Sequence, residues 1–158
     1  MRIFLAGATG VIESRLLPLL VAAGHKVAGT TRSPDRAESI HVAGGVPVVC
    51  NVYDADTLTP AMVVFAPDLV MHQLTDLPDD PARITEMAAA NARILTEGTT
   101  NLIAAAAAAG AQRFLAQSTA LNLPDRGDII AGHERRPGCG RGSGPVRPVL
   151  RAGHVLPG

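Results

Sequence analysis

Charge imbalance, cysteine and long apolar runs are all scarce in this 158-residue chain, and each scarcity excludes something. Lys+Arg and Asp+Glu number 14 each, so the net charge is zero and gives no electrostatic reason to expect nucleic acid or an anionic membrane as partner. The two cysteines, Cys50 and Cys139, lie far apart without metal-ligand spacing, which argues against a disulfide framework. Hydrophobic residues make up 47% of the chain, but every apolar run is broken by Gly, Pro or a polar residue, so no membrane span is expected. The N-terminus does not show the basic, apolar and small-residue order of a signal peptide, and a cytoplasmic protein is expected. Lysine occurs once, at Lys26, against thirteen arginines, and tyrosine once, at Tyr53. The lysine deficit reads as GC-rich coding sequence.

What is present is organised around Ile3-Phe4-Leu5-Ala6-Gly7-Ala8-Thr9-Gly10-Val11-Ile12-Glu13. Residues 2–6 are apolar after Arg2, without alternation, which predicts a central parallel strand buried on both faces. A glycine turn and then a helix over 10–23 follow, with Gly24 as the stop and a bend expected at Pro18. The pattern then repeats. Strands are predicted at 27–30, 46–49, 69–72 and 113–117. Helices are predicted from Ser33-Pro34-Asp35 to Val42, at 55–65 capped by Asp54, and at 82–109. The last ends in six alanines and Gly110, a run of the best helix former rather than disordered chain.

Five strands alternating with helices predict an α/β fold, a Rossmann-like doubly wound parallel sheet of about five strands with an irregular C-terminal tail. Residues 1–120 form the expected nucleotide-binding domain and 121–158 the tail. Composition changes at that boundary. Residues 121–158 hold eight of the sixteen glycines and five of the twelve prolines, with 6 basic against 3 acidic residues; 1–120 carry 8 against 11. Nothing in the tail reads as a strand: Val146–Leu150 is short and interrupted by Pro148. The fifth strand is therefore expected to have an unpaired edge, open to self-association, and the fold to be marginally stable.

Gly7-x-x-Gly10 joins a strand to a helix, the setting in which backbone N–H groups and a helix dipole suit a phosphate. The alternative is a mere tight turn. Thr9 and Gly10 stand closest to the expected pyrophosphate. Glu13 takes the place of a third glycine, where a side chain hinders close helix–strand packing and a carboxylate repels phosphate. Glu13 is accordingly expected to weaken cofactor binding, although an acid in a first helical turn favours the helix itself. After the second strand, Thr31-Arg32, with Arg36 a turn on, offers arginine and no acid. That suits a 2′-phosphate, so NADP is expected ahead of NAD; the alternative is a pair of solvated arginines. Asn51 and the backbone of Val52 are candidates for the adenine edge, and Gln73 and Leu74 lie at the end of the fourth strand. Asp54 reads as a cap and His72 as a satisfied core histidine. His133, His154 and Cys139 lack the spacing of a metal site.

Taken in order, these segments resemble the extended and atypical short-chain dehydrogenase/reductase superfamily, in its NAD-dependent epimerase/dehydratase branch, over about residues 1–120. The resemblance rests on Gly7-Ala8-Thr9-Gly10-Val11-Ile12, Thr31-Arg32-Ser33-Pro34, Asn51-Val52-Tyr53-Asp54-Ala55-Asp56, Pro67-Asp68-Leu69-Val70-Met71-His72-Gln73-Leu74, Glu97-Gly98-Thr99-Thr100-Asn101-Leu102 and Phe114-Leu115-Ala116-Gln117-Ser118. It implies a nicotinamide dinucleotide with Gly7, Thr9, Gly10, Val11, Ile12, Thr31, Arg32, Arg36, Asn51, Val52, Gln73 and Leu74 at the cofactor. It also implies a catalytic Ser/Thr at Ser118. The family's catalytic Tyr-x-x-x-Lys cannot occur in a chain whose one tyrosine is Tyr53 and one lysine Lys26. The expected protein is therefore a truncated or frameshifted relative with little or no oxidoreductase activity on an unknown small molecule. The alternatives are a non-catalytic NADP(H)-sensing or interaction module and a non-functional fragment.

Overall fold

The computed structural model describes residues 1–75, 84–117 and 148–150. β1 (Arg2–Ala6) is followed by α1 (Glu13–Ala22), β2 (Lys26–Thr31), a 3-10 turn (Pro34–Arg36) running into α2 (Ala37–Val42), β3 (Val46–Val49), α3 (Ala55–Phe65) and β4 (Leu69–His72). Then come α4 (Ile84–Arg93), a π-helical stretch (Ile94–Gly98), α5 (Thr99–Ala108), β5 (Arg113–Ala116) and β6 (Pro148–Leu150). The strands form one parallel sheet in the order β3-β2-β1-β4-β5-β6. This is the Rossmann-like doubly wound arrangement expected from the strand–helix alternation.

β1 has no polar face because helices cover both of its faces. Ile3 and Leu5 join Leu17 of α1, Val27 and Ile40 of α2 in one core layer. Phe4 and Ala6 join Leu58 and Met62 of α3 and Leu102, Ala105 and Ala106 of α5 in the other. The alanine run is thus a packing surface: its small side chains let α5 lie close on the sheet. At its N-terminal end β1 is pinned by Asp68, whose carboxylate accepts the Arg2 backbone N–H at 2.7 Å, and by the Arg2 guanidinium stacked 4.6 Å from the Phe65 ring centre.

Several local expectations change. Ser33 was expected to cap a helix, but its side chain makes no capping bond, and the segment opens as a 3-10 turn on Pro34. The expected helix start at residue 10 moves to Glu13, with the Ser14 N–H already bonded to the Gly10 carbonyl at 3.0 Å. α1 continues through Pro18. It ends at Gly24 (φ +80°), where the Gly24 and His25 N–H groups bond the carbonyls of Val21 and Leu20. The expected single helix over 82–109 carries a π-helical stretch. The reading of Val146–Leu150 as no strand is overturned: β6 pairs with β5 from Phe114–Pro148 to Ala116–Leu150. Pro148 sits at the strand's first residue, where no ladder donor is needed. The β5 edge expected to be unpaired is therefore paired in this register.

Candidate functional site

Strand order reverses between β1 and β4, and ligands in such sheets bind beyond the carboxyl ends of the strands at that point. A cavity of about 580 Å³ opens there, within the usual range for small-molecule sites of roughly 300–1,000 Å³.

The glycine turn forms one wall. Gly7 has φ +96°, a conformation costly for any residue with a Cβ, and a Cβ there would come within 3.0 Å of Leu74 Cδ2. The turn is fastened to β2 by two bonds: the Gly7 N–H donates to Thr30 Oγ1 at 2.9 Å, and the Ala8 N–H to the Thr30 carbonyl at 3.0 Å. Close approach is possible because Gly29 faces it without a side chain: a Cβ on Gly29 would lie 2.6 Å from the Ala8 Cβ. The Gly10 N–H bonds the Gly7 carbonyl at 3.1 Å. The N–H groups of Val11 and Ile12 make none of the backbone hydrogen bonds found among the described residues. Both side chains are exposed at the mouth, 74% and 56%. A helix N-terminus with free N–H groups facing a cavity suits an anion.

Of the sequence-predicted residues, Gly7, Thr9, Gly10, Val11, Ile12, Thr31, Arg32, Arg36, Val52, Gln73 and Leu74 line this one cavity. Asn51 does not. Its Oδ1 accepts the Tyr53 N–H at 3.1 Å, closing the turn that leads into α3. Asp54 is the α3 cap, its Oδ1 accepting the N–H groups of Asp56 and Thr57 at 3.1 and 3.3 Å. Ser118, His133, His154 and Cys139 lie outside the described residues.

The wall also includes residues that the sequence did not mark as cofactor contacts. Leu58, Ile94 and Leu102 give an apolar side, and Cys50 and Gln117 come from strand ends. Gln117 is one residue short of the Ser118 that the sequence marked. Ile94 opens the π-helical stretch, whose Gly98 packs with Cβ room of only 3.3 Å to Ile94 and Val52. Asn101, a turn further, donates to the Val52 carbonyl at 3.0 Å. Burial, with Asp54 nearby, pushes the Cys50 thiol up to about 11, so it is a neutral thiol at neutral pH.

His72 is buried beneath the cavity wall. Its Nδ1 accepts the Leu74 N–H at 3.2 Å, which leaves Nε2 as the protonated nitrogen, 3.0 Å from Thr99 Oγ1. Burial lowers its pKa, against the opposing effect of the Ile94 backbone. It is the satisfied core histidine that the apolar strand predicted, and it orients Leu74 under Gly7.

Glu13 has the most unusual position. It is 5% exposed, and its carboxylate folds back over the turn, where a Cβ on Gly10 would collide with Oε2. Burial raises its pKa, opposed by a hydrogen bond from its own backbone N–H.

The family model described as "NAD dependent epimerase/dehydratase family" matches residues 3–138, continuing past the change of composition at Ala120. The chain is 41% identical over 133 residues to the 3-diazoavenalumate denitrifying reductase of Streptomyces sp, a match covering 82% of this chain and 41% of that protein. It is 31% identical over 139 residues to the 4-hydroxy-2-methyl-3-oxo-4-farnesyl-3,4-dihydroquinoline-1-oxide ketoreductase of Stigmatella aurantiaca, covering 87% of this chain and 39% of that one. The chain thus spans about two-fifths of the length of these curated relatives. Among solved structures, the Bordetella bronchiseptica enzyme WbmG in complex with NAD and UDP aligns at a TM-score of 0.60 with 28% identity, over 73% of this chain and 36% of that one. With a family match over residues 3–138 laid on this sheet and this glycine turn, the chain belongs to the NAD dependent epimerase/dehydratase family.

Proposed function

We propose that this chain binds a nicotinamide dinucleotide, NADP in preference to NAD, along the cavity at the β1–β4 crevice. The observation that carries the reading is one continuous wall running from the Gly7–Ile12 turn to Arg32 and Arg36. The turn supplies N–H donors for a pyrophosphate. The arginines supply positive charge where an acid for the ribose diol is missing. Leu58, Ile94 and Leu102 supply an apolar side for a ring. Relatives named as reductases, and a neighbour crystallised with NAD, support the same cofactor class.

When bound, the nicotinamide would supply hydride chemistry toward a carbonyl-like or sugar-like acceptor. The chain's own contribution is to hold the cofactor. Proton transfer by Tyr-x-x-x-Lys is not available to it, since Tyr53 and Lys26 are its one tyrosine and one lysine. We therefore assign it cofactor binding with little or no hydride transfer of its own, a property that also suits a module sensing NADP(H).

Titration of NADP+ and NAD+ into the parent, Arg32→Gln and Arg36→Gln tests the assignment. Losing a charged hydrogen-bond donor to the 2′-phosphate is worth about 1.5–3 kcal/mol, or roughly ten- to a hundredfold in NADP+ affinity with NAD+ little changed. Equal affinity of the parent for NAD+ and NADP+ would remove the stated preference.

A further inference from the structure

The turn that should receive a pyrophosphate already has a carboxylate folded over it. Glu13 is 5% exposed, and its Oε2 fills the space that a Cβ on Gly10 would need. Its own backbone N–H, one of the groups at the start of α1 that a bound anion would use, favours the ionised carboxylate against the effect of burial. A dinucleotide pyrophosphate is a dianion. Resting on the dinucleotide reading above, we infer that Glu13 is an internal anion occupying the phosphate place, and that a dinucleotide enters when this carboxyl takes up a proton, so that affinity is coupled to one proton.

The surroundings single out Glu13 as the proton's destination. The ionising groups that share its cavity are Arg32 and Arg36, from the end of β2 and the turn beyond, and Cys50, from the end of β3. β1, β4, β5 and the helical side give that wall no other ionising group among the described residues. On its own helix, Arg15 is exposed. Arginine stays charged throughout the accessible range, and Cys50, held up to about 11, stays neutral. Burial, the main influence on Glu13, already favours its neutral form, against the weaker effect of its own backbone N–H. A phosphate dianion brought against the same group favours that form further.

The consequence is a pH-dependent affinity. Above the free protein's Glu13 pKa, affinity should fall about tenfold per pH unit until the carboxylate no longer takes a proton on binding. Acid therefore loads the protein and alkali unloads it.

Calorimetric titration of NADP+ from about pH 5 to 8, in two buffers of different ionisation enthalpy, tests this with the parent, Glu13→Gln and Glu13→Gly. The ligand's own ionisation is common to all three proteins and cancels in the comparison. The expected result is uptake approaching one extra proton per dinucleotide in the parent alone, with both variants binding at least tenfold more tightly than the parent at the alkaline end. A carbon-13 titration of the Glu13 carboxyl in the cofactor-free protein, assigned through Glu13→Gln, should show a pKa that rises on adding inorganic pyrophosphate. Binding by the parent with the same pH slope and proton count as both variants overturns the inference alone. No binding by any of the three at any pH overturns it together with the dinucleotide reading.

Discussion

Gly29→Ala isolates the contact on which the glycine turn rests. The added Cβ would lie 2.6 Å from the Ala8 Cβ, 3.1 Å from Ile40 Cγ2 and 3.2 Å from Leu17 Cδ1. Carbon atoms pack at about 3.5–4.0 Å, so roughly 1 Å of displacement is needed on the Ala8 side. Ile40 and Leu17 are each 1% exposed and have little room to retreat. Ala8 has no side chain to rotate, and its N–H is held by the Thr30 carbonyl at 3.0 Å. The turn must therefore move as backbone. Overpacking of this kind costs about 1–3 kcal/mol, offset by about 0.4–1 kcal/mol from the reduced freedom of the unfolded chain. A net loss of roughly 1–2 kcal/mol follows, seen as a urea midpoint lower by about 0.5–1 M. Because the displaced element is the phosphate turn, NADP+ affinity should weaken about tenfold alongside. Ala8→Gly in the same chain removes the shortest contact, so the double-mutant cycle should return a favourable coupling of about 1 kcal/mol or more. An unchanged midpoint and affinity in Gly29→Ala, or a cycle with no coupling, would refute the packing argument.

Three further outcomes follow from the structure. Burial depresses the His72 pKa, so below the unfolded value of about 6.5 the unfolded chain binds more protons; stability should be full above that pH and fall by up to about 1.4 kcal/mol per unit as pH drops toward the folded value. Urea midpoints at about pH 7.5 and 5.5 check this: the parent's acid loss should exceed that of His72→Gln, and equal losses would contradict it (Glu13, with a raised carboxyl pKa, works in the opposite sense and is present in both). Cys50, at about 11, should react with iodoacetamide near pH 8 roughly a hundredfold more slowly than an ordinary thiol when measured in a Cys139→Ser background; a rate near that of free cysteine would contradict its burial. Asp54→Ala removes the cap on the Asp56 and Thr57 N–H groups and should cost about 1 kcal/mol in chemical denaturation, while bringing the Cys50 thiol down by deleting a nearby negative charge.

The fold was legible where a single physical constraint acted alone. Residues 2–6 had to be a strand buried on both faces, and Gly24 and Gly110 had to end helices, because their positive φ values suit few other residues. The cavity wall was legible as far as it is built from strand ends: the turn, Thr31, Arg32, Gln73 and Leu74 all face it. What escaped depends on packing between distant segments. β6 is three residues long and opens on a proline, and only the waiting edge of β5 makes it a strand. The π-helical stretch that begins at Ile94, a residue of the cavity wall, has no local sequence mark. Asn51 is an adenine candidate by position, and what the sequence did not show is that its Oδ1 closes a local turn of the kind short polar residues favour. The position of Glu13 was legible but not its rotamer, and the rotamer turns a general repulsion into a carboxylate seated over Gly10.

On the proposal made above, the Gly7–Ile12 turn and the arginines beyond β2 hold a nicotinamide dinucleotide. Amide chemical-shift mapping of the full chain with NADP+ at mildly acid pH tests it most directly. Saturable shifts are expected to concentrate at Gly7, Thr9, Gly10, Val11, Ile12, Arg32 and Gln73. Spectra unchanged by saturating NADP+ and NAD+, or shifts confined to residues away from this cavity, would contradict it.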